Sequence, residues 1–169
     1  DEVTVANFAN QSSSSQQPMK EETKELNTLF WQKAIKEISF SHPDQEPLRR
    51  GGSNWCKALL PAPLKWITAW RSKDQIGVFL RIDGDNIRKY QDFFTEQLEL
   101  MQVEISPDIR LETPEEGTTG WSTALFVAVR KDDVDIYDPA TIEQQIEWYA
   151  LHLDRFVNYV RPLVKQLPK

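Results

Sequence analysis

Apolar positions three and four residues apart mark three stretches of the chain as amphipathic helices, and alternating runs between them read as strands. From Lys20 to Ile38 the first stripe contains Leu26, Leu29, Phe30, Ala34 and Ile38. The turn Asp83-Gly84-Asp85-Asn86 opens a second helix with Ile87, Tyr90, Phe94, Leu98 and Met101 on one side, and Pro107 closes it. Asp138-Pro139 supplies an N-cap and a first-turn proline for a long third helix bearing Ile142, Ile146, Tyr149, Leu153, Phe156, Val160 and Leu163. Pro162 is expected to kink its last turns.

The strands fall between these helices. Residues 55–60 end at Pro61-Ala62-Pro63, and residues 65–71 and 76–82 flank Ser72-Lys73-Asp74-Gln75, a connection of hairpin length. Residues 109–112 and 122–130 enclose the turn-rich segment 114–120 as a second antiparallel pair. Residues 39–54, broken by Pro43, Pro47 and Gly51-Gly52, read as loop, and the Ser- and Gln-rich residues 1–19 as flexible linker. Residues 20–169 then form a single α+β domain in the order α-β-β-β-α-β-β-α, an antiparallel sheet of about five strands with helices mainly on one face. No internal repeat is evident.

Alternation along the central hairpin puts Lys65, Ile67, Ala69 and Arg71 on one side and Trp66, Thr68 and Trp70 on the other. With an even loop, Ile67 faces Leu80 and Ala69 faces Val78 in a helix-covered core completed by Ile76 and Ile82. The other face then carries Trp66 opposite Arg81, Thr68 opposite Phe79 and Trp70 opposite Gly77, with Arg81 able to lie over the Trp66 indole. An odd loop shifts the register by one and sends both indoles into the core. The short loops preferred by hairpins favour the even register. The aromatic and basic face is then either open to a partner or covered by part of the chain read as loop.

Charge sharpens this picture. The net charge is −6, yet residues 49–81 hold seven basic residues (Arg49, Arg50, Lys57, Lys65, Arg71, Lys73 and Arg81) against one acid, Asp74. A basic block in an acidic chain offers a local surface for an anion, or else meets the acidic remainder of the same domain. The 169 residues, 40% hydrophobic, suffice for one core of ordinary size. No apolar run approaches the roughly 20 residues of a spanning helix, so no membrane partner and a cytoplasmic location are expected. The chain opens at Asp1 with neither Met nor a charged-then-apolar leader, which reads as a fragment with an upstream part missing.

Specific chemistry is scarce. A single cysteine, Cys56, allows no internal disulfide and no Cys framework for a metal; flanked by Trp55, it reads as a buried small hydrophobe. His152, between Leu151 and Leu153, reads as a surface or packed histidine. No phosphate-loop, dinucleotide or nucleophile-elbow motif occurs. Asp83-Gly84-Asp85 and Asp132-Asp133-Val134-Asp135 lack calcium-loop spacing and suit turns and caps. Asp108 and Glu112 resemble the carboxylates of a restriction-type nuclease, but Pro114 stands where that motif requires Lys. Neither a cofactor, nor a metal, nor a catalytic residue is assigned.

Phe30-Trp31, Asn54-Trp55, Ile76-Gly77-Val78 through Ile82-Asp83-Gly84, Phe93-Phe94, and Phe156 through Val160-Arg161-Pro162 together resemble an uncharacterised prokaryotic domain family found C-terminal to restriction-endonuclease-like nuclease domains. The resemblance runs from about Leu29 to Leu167 and implies an accessory domain downstream of a nuclease module, with residues 1–19 joining the two. The family is polar where this chain has Trp66, Trp70 and Phe79. The resulting expectation is a noncatalytic accessory domain that binds or positions nucleic acid. Arg49, Arg50, Lys57, Lys65, Arg71, Lys73 and Arg81 would neutralise phosphates while Trp66, Trp70 and Phe79 stack on bases. The rival expectation is a protein-interaction or homodimerisation module using the aromatic face or the long C-terminal helix.

Overall fold

A computed structural model describes residues 17–84, 86–113 and 124–169. Their elements are α1 (Gln17–Glu37), β1 (Arg49–Arg50), β2 (Trp55–Leu59), β3 (Trp66–Arg71), β4 (Ile76–Ile82), α2 (Asn86–Glu104), β5 (Arg110–Glu112), β6 (Leu125–Lys131) and α3 (Ile142–Leu163). The strands form one sheet in the order β1-β2-β3-β4-β6-β5, with every neighbouring pair antiparallel. The class is α+β, with six strands where about five are expected from sequence. The additional strand, β1, is two residues long, too short to show alternation.

The β3–β4 loop is even. Ser72 N–H donates to the Gln75 carbonyl at 2.9 Å. Ile67 therefore faces Leu80, Thr68 faces Phe79, Ala69 faces Val78 and Trp70 faces Gly77. Ile67, Ala69, Val78, Leu80, Val127 and Val129 point to the helix-covered side, where they join Tyr149, Leu153, Phe156 and Val160 of α3 in the main core. Burying each large side chain of this kind contributes about 1.5–3 kcal/mol. The α3 helix packs against β3 and β4, α2 against α3, β5 and β6, and α1 against α3 and β1.

Three local features differ from the sequence expectation. Residues 17–19, read as linker, belong to α1, while residues 1–16 and the turn-rich segment 114–120 lie outside the described residues. On α1, Leu26 and Leu29 are exposed, and the buried arc is Asn27, Phe30, Trp31, Ala34 and Ile38. At 3.6 residues per turn Leu29 sits about 150° from the middle of that arc, and the large area of Trp31 sets the helix rotation. Asp138 caps a 3-10 turn, Pro139–Thr141, its carboxylate accepting from Ala140 N–H at 3.0 Å; α3 starts only after that turn. The helix continues through Pro162 to Leu163 and passes into a second 3-10 turn, Val164–Gln166.

Candidate functional site: the outer sheet face and an edge cavity

The sheet registers align the outer face in three rows across the strands. One row is Arg49, Lys57, Thr68, Phe79, Ala128 and Arg110. A second is Trp55, Trp70, Gly77 and Arg130, and a third includes Leu59 with Trp66 and Arg81 with Phe126 and Glu112. The face thus has an aromatic middle and cations toward both edges. Five intervals between six strands put Arg49 and Arg110 about 24 Å apart at ~4.8 Å per strand.

The aromatic middle is not open. Trp70 is 1% exposed and Phe79 is 2% exposed, so neither ring is available to stack on a base. They form a second hydrophobic cluster with Trp55, Ala124, Phe126 and Ala128. Phe79 meets Phe126 edge-on at 5.3 Å between centroids. Gly77 explains how Trp70 lies flat: a Cβ there would stand 2.7 Å from the indole. Large aromatic area tends to be covered whenever chain is at hand, so of the two expectations for this face the covered one holds. Trp66 remains half-buried, stacked on Trp55 at 6.0 Å, its Nε1–H donating to Thr68 Oγ1 at 3.1 Å. The cation over Trp66 is Lys57 of β2, with Nζ at 4.6 Å, from the strand on the other side of β3 than Arg81.

The seven cations of the basic block do not share one surface. Arg49 and Lys57 lie on the outer face, Arg49 also bonding to Glu46 at 2.6 Å. Arg81 Nε donates to Asp83 at 2.7 Å. Arg50 has core-side parity and ties the loop to α1, donating to Gly52 O, Ser53 O and Thr28 Oγ1. Lys65 also has helix-side parity and is exposed, and Lys73 is exposed in the hairpin turn. Arg71 overturns the phosphate-neutralising role directly. It follows Ala69 into the core, is 2% exposed, donates to Ile136 O at 2.6 Å and lies over the Phe30 ring. Burial pulls its guanidinium down from its ordinary value to about 10.

A cavity of about 570 Å³ opens at the sheet edge, lined by Asp108, Arg110, Ala128, Arg130, Lys131, Asp132, Trp148 and His152. It exists because β6 outlasts its partner. Arg110 at the start of β5 pairs with Ala128, so β6 runs on through residues 129–131 with no β5 residue beside it. From the helix side α3 supplies Trp148 and His152, four residues apart and stacked at 4.1 Å. His152 Nδ1 lies 2.8 Å from the Trp148 carbonyl, an acceptor, so Nδ1 carries the proton and Nε2 is the lone-pair nitrogen. Burial lowers its pKa below the usual 6.5, partly opposed by that bond. Arg130 grips Glu112 with both terminal nitrogens, one at 2.8 Å, and Asp132 accepts from Gln75 Nε2.

Arg110, Arg130, Lys131 and Trp148 carry no local motif that marks them as a site. The i, i+4 aromatic pair on α3 was legible, but its meeting with the β5–β6 edge depends on a strand order that local patterns do not carry. Other polar groups take structural roles. Cys56 is fully buried and its thiol is pushed up to about 12, chiefly by desolvation. Asp135 accepts from Tyr137 N–H at 3.1 Å, and no cluster of three metal-ligating side chains occurs among the described residues. No described helix is long and apolar enough to cross a membrane. Compared with known proteins, the chain matches no family model and no curated protein.

Proposed function

We propose that the domain is an accessory module that binds nucleic acid through the cations at the two edges of the outer sheet face, positioning it for a nuclease carried by the same protein. The observation that carries this reading is the cross-strand row with Arg49 and Lys57 at one end and Arg110 at the other. Lys57 and Arg110 have no carboxylate partner among the described residues. Cations spaced across a sheet suit a phosphate backbone, whose neutralisation supplies most sequence-independent affinity. Trp66, half-buried beside Lys57, is the aromatic group that accompanies them, while Trp70 and Phe79 are buried and meet no nucleic acid. The nuclease association rests on the family resemblance alone. Titration with single- and double-stranded DNA at several salt concentrations tests the reading: binding weakens steeply with salt, and absence of binding at low salt refutes it.

Self-association is the second reading, and the observation favouring it is the pair Leu100 and Val103 on α2, 51% and 79% exposed and three residues apart. Sedimentation across concentrations separates the two: a dimer abolished by Val103→Lys, with no DNA binding, selects this one.

A further inference from the structure

Arg110 belongs both to the cationic row and to the edge cavity, so the row runs into the cavity. Arg110, with outer-face parity, and Lys131, with helix-side parity, reach that cavity from opposite faces of the sheet around the end of β5, and neither has a carboxylate partner among the described residues. Ala128, between Arg110 and Arg130 on the same face, contributes only a methyl group and leaves room at the floor. Trp148 and His152 line it from the helix side, and His152 offers a neutral ring whose Nε2 takes up a proton if negative charge arrives.

We propose that this cavity binds a phosphate monoester, held by Arg110 and Lys131 with His152 alongside. A guanidinium fork together with an ammonium suits the several oxygens of a terminal phosphate better than the single charge of a diester in mid-strand. Asp108 and Asp132 also line the cavity, and Asp132 is engaged by Gln75. The monoester is either the phosphorylated end of a nucleic-acid strand or a free phosphate or mononucleotide. The first source rests on the nucleic-acid reading above, and the second does not.

The test uses one short single strand in 5′-phosphate, 3′-phosphate and hydroxyl-terminated forms, with inorganic phosphate and a mononucleotide as separate arms. Affinity is read by fluorescence anisotropy, and the His152 imidazole is followed by NMR. A terminal phosphate is expected to raise affinity about tenfold. Lys131→Ala, an exposed position, is expected to erase that difference while hydroxyl-terminated binding persists. Phosphate binding raises the His152 pKa in the wild-type chain; Asp108, Lys131 and Arg155 also act on this ring, so Lys131→Ala serves as its control. If no strand binds in any form but inorganic phosphate or the mononucleotide moves His152, the nucleic-acid reading fails and the phosphate site stands. Equal affinity of all strand forms, with no response of His152 to inorganic phosphate, overturns the proposal.

Discussion

The guanidinium of Arg71 lies 3.8 Å over the centre of the Phe30 ring, an arginine buried in the main core with no carboxylate beside it among the described residues. Among the described residues its Nε and Nη1 have no hydrogen-bond partner, and Asn27 Oδ1, Trp31 Nε1 and Gln145 Oε1 on the neighbouring helices share that condition. A buried cation stabilised mainly by one aromatic face and one carbonyl contributes little net stability. Arg71→Met, of similar length, is therefore expected to leave stability unchanged or raise it by about 1 kcal/mol. Urea denaturation measures this, and a loss above ~2 kcal/mol would show the unpaired nitrogens to be satisfied in solution.

Gly77 faces Trp70 across the central hairpin, and the close approach of the indole defines its role. Gly77→Ala forces a methyl group into the ring and is expected to cost about 1–3 kcal/mol, against the usual gain from replacing glycine within a strand. Thermal unfolding of this variant beside Gly84→Ala, whose added Cβ meets nothing within 4 Å but whose φ is +62°, separates overlap from backbone strain.

His152 makes stability depend on pH in a defined direction. Its folded pKa lies below 6.5, so between that folded value and 6.5 the unfolded chain binds more protons. The contribution is present above 6.5 and is lost as the pH falls through the folded pKa. Urea midpoints measured between about pH 5 and 8 should therefore decline toward acid, and His152→Gln should remove that part of the decline.

Lys57 is the cation of the row nearest to Trp66. If it meets a phosphate, Lys57→Ala reduces the slope of log affinity against log salt by about 0.7–0.9, whereas Lys73→Ala, in the hairpin turn away from the row, leaves it unchanged. Equal effects from both substitutions would mean that net charge alone governs binding.

Much of the scaffold is legible in local pattern. The α3 stripe from Ile146 to Leu163 and the α2 positions Tyr90, Phe94 and Met101 are buried as their spacing implies. The four-residue loop from Ser72 to Gln75 fixes the β3–β4 register, and with it the face on which Trp70 and Phe79 lie. Whether that face is open or covered is left undecided by local pattern, because what covers a face depends on contacts distant in sequence. Arg71 shows the same limit: parity places it with Ile67 and Ala69, yet its charge suggests a surface, and only packing against α1 decides between them. The edge cavity was hidden because β6 pairs with both β4 and β5, and their unequal lengths open the space.

Trp70 belongs to both sides of the sheet. Its indole sits in the second cluster, while its backbone carbonyl accepts the buried hydroxyl of Tyr149 from α3. Loosening the layer around Trp70 thus also disturbs the anchor of the long helix, so the two halves should melt in a single cooperative transition rather than peel apart in turn.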